Sequence, residues 1–291
     1  MAVSLGLGTV QFGLPYGIAN TAGQVSRAQV GEILALAHRS GVQFLDTAYL
    51  YGEAEQVLGS FDLSGFRVVS KLPELTSAAH ARDCLETSLS RLNLSQLDSL
   101  LLHRPAKLFG DFGDALYQQL QQFKAQGLVK RIGVSVYTPE ELSQLLEQFT
   151  LDLVQLPLNL FDQRFWQQGL LEMCQHRGIA VHLRSVFLQG LLLMPKRPAW
   201  CAQYQTAFDA LDTICAKANL TPLETCLGIV HQLPAVESAI VGCTEAAELT
   251  QILAAFAASS QTANALAIDY QELAQTDDNL ISPMRWPRET R

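Results

Sequence analysis

The chain has 291 residues, 48% apolar and only 16% charged, with 20 Lys and Arg against 28 Asp and Glu. That composition supplies a large core and excludes a disordered or coiled-coil protein. A formal charge of −8 with no basic block argues against binding a phosphate backbone, so no nucleic-acid partner is expected.

Along the chain, short apolar runs alternate with longer amphipathic segments. A strand is predicted at 4–8, then a helix at 27–38 with Ser26 at its N-cap and Gly41 just past its end. A strand at 42–45 precedes a short helix at 53–58. A strand at 66–70 precedes a helix at 78–92, and a strand at 97–102 a helix at 114–125 stopped by Gly127. The strand at 131–136 leads to a helix at 139–148 with Pro139 in its first turn. The strand at 153–156 leads to a helix at 165–176 ended by Gly178. After a strand at 179–183 come helical stretches at 200–218 and 223–231, the second opened by Pro222. A strand at 239–241, a helix at 246–257 and a short extra helix at 269–275 complete the series.

Eight strands result, and their cores are continuous apolar runs such as Leu100-Leu101-Leu102. Runs without alternation mark parallel strands buried on both faces. Eight strand–helix units with no linker between them predict an α/β protein, a closed (β/α)8 TIM barrel forming one domain over 1–291. The N-terminus lacks the basic and apolar regions of a signal peptide, and no apolar run reaches the ~18 residues of a membrane span. Cys84, Cys174, Cys201, Cys215, Cys226 and Cys243 form no CxxC pair and lie at no zinc-ligand spacing. The expectation is a cytoplasmic protein with free buried thiols, no metal, no membrane and no obligate protein partner. Asp277-Asp278 reads as a solvated helix end.

In such barrels the chemistry sits where strands end. Strand two ends in Asp46, with Tyr51 on the loop beyond; strand three ends in Lys71, strand four in His103. Ionisable groups at the ends of three consecutive buried strands are costly unless they meet. Adjacent strands are ~4.8 Å apart, so these side chains can converge at one mouth. A phenol titrating near ~10 is a weak acid at neutral pH. The Lys71 ammonium is expected to favour the phenolate and lower that value, with Asp46 keeping Lys71 charged. A neutral His103 would orient a carbonyl oxygen, making Tyr51 its proton donor. No protein nucleophile is evident; a hydride from a nicotinamide would complete the reaction.

These residues stand in segments that resemble the aldo-keto reductases. The carriers are Gly41-Val42-Gln43-Phe44-Leu45-Asp46-Thr47-Ala48 with Tyr51-Gly52 and Glu55, then Ser70-Lys71, Leu101-Leu102-His103, Ile132-Gly133-Val134-Ser135 and Val154-Gln155. The resemblance implies a barrel that binds an extended NADP or NAD and reduces a small-molecule carbonyl substrate, with Asp46, Tyr51, Lys71 and His103 as the catalytic tetrad. It places Gly8 and Thr9 along the cofactor, with Asp46 beside it, and Ser135 and Gln155 at the nicotinamide carboxamide. At the end of strand seven, where the family often stacks an aromatic residue on the nicotinamide, stands Arg184, followed by Ser185, Leu188 and Gly190. After the last strand the family's basic residues are replaced by Gly242-Cys243-Thr244-Glu245, with Glu248 beyond. The resemblance therefore favours NADP(H), while Glu248 suits a free ribose hydroxyl and keeps NAD(H) open. Phe12, Tyr49 and Trp286, with Tyr51 and His103, are the expected lining of the substrate pocket. The cluster Gly6-Leu7-Gly8-Thr9-Val10-Gln11-Phe12-Gly13 lacks the GxGxxG spacing and no suitable helix is expected to follow at once, so it is read as a turn needing glycine at the barrel mouth. Two further readings stand beside the reductase: a catalytically weak, cofactor-binding regulatory barrel, and a Schiff-base aldolase using Lys71. His176, His182 and His231 are read as structural.

Overall fold

A computed structural model describes residues 3–266 and 268–287, the side chains of 261–266 excepted. Eight strands, β1 (Ser4–Gly8), β2 (Phe44–Asp46), β3 (Arg67–Leu72), β4 (Leu97–Leu102), β5 (Val129–Ser135), β6 (Leu153–Pro157), β7 (Ala180–Arg184) and β8 (Val236–Gly242), pair in parallel and in chain order. β8 pairs with β1 and closes the cylinder. The fold is the expected (β/α)8 barrel.

The helices wrap the outside where the sequence supplies caps. α1 (Val10–Gly13) is a single turn directly after β1, inside the glycine cluster, and the next helix begins only at Arg27. α2 (Arg27–Arg39) starts where the Ser26 hydroxyl accepts from Gln29 N–H, and α3 (Ala54–Leu58) is short. α4 (Ala78–Leu92) and α5 (Gly113–Ala125) follow, and α6 (Pro139–Gln148) begins with its proline. The helix expected over 165–176 is two pieces, α7 (Arg164–Gln167) and α8 (Leu170–His176), because Gly169 takes a φ of +71° between them. α9 (Gln205–Ala218) is preceded by a 3-10 turn, and α10 (Pro222–Gly228) opens on a Thr221–Glu224 capping box. α11 (Ala246–Leu266) runs past its expected end; after it the expected helix at 269–275 is a 3-10 turn, and α12 (Asp278–Ile281) closes the series.

Inside the barrel the period of two along each strand builds layers. Phe44, Val69, Leu101 and Leu153 form one buried apolar layer, with Ala180 against it. Two positions further along, the same four runs present Asp46, Lys71, His103 and Gln155 toward the mouth. Towards the base lies a layer of charge. Asp98 takes Arg67 at 2.9 Å and Arg131 at 2.7 Å; Glu237 takes Arg131 at 2.8 Å and His182 at 2.9 Å. Phe44 is covered by the Arg67 guanidinium at 4.3 Å and by the edge-on His182 ring at 4.6 Å. His182 is thus a structural partner of Glu237. All six cysteines are buried. Among the described residues no helix is long and apolar enough to cross a membrane, and no cluster of acidic, His or Cys side chains is placed to hold a metal ion.

Candidate active site

The tyrosine loop is seated by two glycines. A Cβ on Gly13 would lie 1.9 Å from the Tyr51 carbonyl oxygen, and one on Gly52 would lie 2.4 Å from the Gly13 carbonyl oxygen. Only bare backbone permits this contact between α1 and the loop after β2. Glu55, buried in the first turn of α3, accepts from Ser70 Oγ at 2.7 Å and pairs with Arg91 at 3.5 Å. Ser70 precedes Lys71 and points to the other face of β3, so the tyrosine loop and the lysine strand are tied together from behind.

At the mouth, Lys71 is 1% exposed and meets three oxygens: Asp46 Oδ2 at 2.5 Å, the Thr47 carbonyl at 2.9 Å and Tyr51 Oη at 3.4 Å. The other Asp46 oxygen accepts from Gln155 Nε2 at 2.7 Å, and Ser135 Oγ donates to Gln155 Oε1 at 3.4 Å. The His103 ring stands edge-on to Tyr51, 5.9 Å between centroids, and its buried Nδ1 has no protein partner. The four expected side chains share one place.

Burial, then the Asp46 charge, raises the Tyr51 phenol above its ordinary value, against a smaller opposing pull from Arg184. The expected lowering by Lys71 is therefore not realised: desolvation of a phenolate outweighs an ammonium that Asp46 already neutralises. Burial also lowers Lys71, opposed by the charge and hydrogen bond of Asp46. Burial and the charges of Lys71, Arg184 and Arg104 push His103 down to about 3. His103 is thus a neutral imidazole at ordinary pH.

A cavity of about 850 Å³ opens over this cluster, within the usual range for cofactor sites. From Asp46, Tyr51 and His103 its wall runs past Gly8, Thr9 and Gln11, along Arg184, Ser185, Gln189 and Gly190, to Gly242, Thr244 and Glu248. Gln11 Oε1 is buried there without a partner, and a Cβ on Gly242 would come within 2.7 Å of Gln11. The elongated groove, its bare glycines and its unused acceptor fit an extended dinucleotide.

Other expected positions lie elsewhere. Phe12 is fully buried in the core; Tyr49 packs under Arg91 at 4.5 Å; Trp286 packs on Trp200, its Nε1–H donating to the Leu280 carbonyl at 2.9 Å. None of the three reaches the cavity wall, because each faces another packed element. Leu188 and Cys243 are core residues, and burial pushes the Cys243 thiol up to about 12. Ser135 Oγ bonds Gln155 and Gln155 bonds Asp46, with Gln155 itself on the cavity wall. Arg184 stacks its guanidinium 4.3 Å over Tyr137 and donates to the Val136 carbonyl at 3.0 Å. Tyr137 and Tyr16, both on the wall, were not legible as site residues. The signal for Tyr137 was its place two residues beyond Ser135 at a strand end.

The Aldo/keto reductase family pattern matches residues 4–269. An aldo-keto reductase of Mycobacterium sp. (strain MCS) is 30% identical over 131 residues, covering 43% of this chain and 46% of that protein, so the chain spans about half that relative's length. D-threo-aldose 1-dehydrogenase of Pseudomonas sp. is 26% identical over 288 residues, 82% of this chain and 87% of that one. Among solved structures, an aldo-keto reductase from Bacillus halodurans in its holo form superposes with a TM-score of 0.73 at 18% identity, covering 98% of this chain and 96% of that one. With the pattern matched over nearly its whole length, the chain belongs to the Aldo/keto reductase family.

Proposed function

We propose that this chain is a carbonyl reductase dependent on a nicotinamide dinucleotide, acting on a small aldehyde or ketone. The observation that carries the reading is the chain of contacts from Asp46 through Lys71 to the Tyr51 hydroxyl, opening on the groove. A bound dihydronicotinamide supplies the hydride that no side chain here can give. Tyr51 keeps its proton until negative charge builds on the carbonyl oxygen, then donates it. Lys71, held by Asp46 and the Thr47 carbonyl, stabilises the phenolate left behind. Neutral His103 orients the carbonyl oxygen without competing as an acid. Gly8, Thr9, Gln11, Ser185, Gly190 and Gly242 would hold the dinucleotide.

The far end of the groove favours NAD(H) over the NADP(H) expected from family resemblance. Glu248 Oε2 accepts from Thr244 N–H at 2.6 Å and Thr244 Oγ1 at 2.9 Å, so a carboxylate already caps the start of α11. A 2′-phosphate there would meet like charge. Lys71, buried with three oxygens around its amine, offers no free face for a Schiff base. The test mixes protein, NADH or NADPH and a panel of aldehydes, following loss of dihydronicotinamide absorbance, with Tyr51→Phe as control. Turnover lost in Tyr51→Phe supports the reading. Tight dinucleotide binding with no turnover favours the regulatory barrel instead, and neither binding nor turnover overturns both.

A further inference from the structure

Arg184 is a cation without an anion. It ends β7, is half-buried and lines the cavity beside Tyr51 and Tyr137. Its Nη2 donates to the Val136 carbonyl at 3.0 Å and its Nη1 to Ser185 Oγ at 3.4 Å, while its buried Nε has no partner. Among the described residues no carboxylate lies within 4.0 Å of its guanidinium. The contrast with its neighbour on the same wall is sharp: Arg164 is held by Asp162 at 2.8 Å and Asp278 at 3.0 Å. Glu141, four residues beyond Tyr137, spends its carboxylate on the Tyr137 N–H at 2.8 Å. Arg104 flanks the same Tyr137 ring at 5.7 Å and also lacks an acidic partner among the described residues.

Withdrawing a guanidinium from water is costly unless an anion or hydrogen bonds repay it. Stacking on Tyr137 and the Val136 carbonyl repay part. The remaining charge is felt at the reacting end, where it acts on both Tyr51 and His103. His103, being neutral, does not compete for an anion.

The geometry points to Arg184 as the receptor for a carboxylate on the carbonyl substrate, so that the preferred substrates are small aldehydes or ketones carrying a negative charge away from the reacting carbon. This rests on the reading of Tyr51 as proton donor. A planar guanidinium matches a carboxylate in two parallel hydrogen bonds. A phosphate of the dinucleotide presents related chemistry, and NADH affinity in the variant separates that source from the substrate.

The test compares 4-carboxybenzaldehyde with 4-methylbenzaldehyde, alike in shape and different in charge, using wild type, Arg184→Met and Arg184→Lys with saturating NADH. Wild type is expected to favour the carboxylate by about 10- to 100-fold in kcat/KM, chiefly through KM. The ratio should fall as salt rises, collapse toward one in Arg184→Met and return in part in Arg184→Lys. A wild-type ratio near one, or a ratio preserved in Arg184→Met, overturns the proposal. So does a loss of NADH affinity in Arg184→Met, by fluorescence titration, that matches the loss in kcat/KM, since it assigns the cation to the cofactor. Should Arg184→Met not fold, the wild-type ratio and its salt dependence decide. If neither aldehyde turns over, the wider aldehyde panel with both dinucleotides judges the reductase reading. Calorimetric binding of 4-(hydroxymethyl)benzoate against 4-methylbenzyl alcohol then judges the anion site alone: preference for the benzoate supports it, and equal or absent binding overturns it.

Discussion

Gln155 donates its amide to Asp46 Oδ1 over 2.7 Å, joining β6 to β2 across the top of the lumen. That bond turns the other carboxylate oxygen to Lys71. Gln155→Leu strips a buried carboxylate of one donor, and a loss of roughly 1–3 kcal/mol in stability is expected. Urea unfolding measures it; an unchanged midpoint would show that Asp46 is held well enough by Lys71 alone.

Lys71→Met should cost more. It leaves Asp46 in a buried place without its cation, an expected destabilisation of about 3–5 kcal/mol. Adding Asp46→Leu removes the stranded charge, so the double variant should recover much of the stability while remaining inactive. Thermal or urea melts of the three proteins form the cycle that checks this.

The pH dependence of turnover follows from the burial of Tyr51 and His103. Tyr51 titrates above its ordinary value, so the alkaline limb of kcat/KM should lie above the normal phenol range. His103 titrates at about 3, so no limb is expected near the ordinary imidazole value of about 6.5. A pH–rate profile with an imidazole limb that vanishes in His103→Gln would contradict this.

Acid stability is set at the base. For Glu237, burial alone would raise the carboxyl, yet the hydrogen bonds of His182 and Arg131 and their charges bring it down to about 2 from a starting value of 4.5. A depressed folded-state value means stability fully present above about 4.5 and lost as the pH falls toward about 2, roughly 3 kcal/mol in all. Glu237→Gln should be less stable at neutral pH and show a flatter decline through that window. Equal acid slopes for the two proteins would remove Glu237 as the cause.

Glu248→Arg tests the dinucleotide preference. Replacing the carboxylate at the start of α11 with a guanidinium should tighten NADPH by about tenfold or more relative to NADH. Titrating both proteins with both dinucleotides reads it directly, and a wild type that already prefers NADPH would refute the assignment at the far end of the groove.

Much of this site was legible because strand ends in a barrel are fixed by pattern. Asp46, Lys71 and His103 each close an apolar run, and buried charges on neighbouring strands must meet. The aromatic residues were not legible. Nothing in the one-letter code says that Phe12 turns into the core or that Tyr49 is covered by Arg91, whereas Tyr137 turns to the cavity. Those directions follow from helix packing, which periodicity constrains only loosely. The break at Gly169 was missed for a related reason: the apolar spacing of 165–176 continues through it, and only the positive φ reveals two helices. The Tyr51 shift runs opposite to the expectation because burial strips water from the phenolate, a loss that the sequence pattern does not display.

The ionic layer of Arg67, Asp98, Arg131 and Glu237 ties the strands together at one end of the cylinder, and the described cavity opens at the other. Durability resides at the ionic end and reactivity at the open one, separated by a greasy floor of Phe44, Val69, Leu101 and Leu153. Selection, natural or in the laboratory, can therefore rework the loops around the entrance for new specificities while the foundation goes untouched.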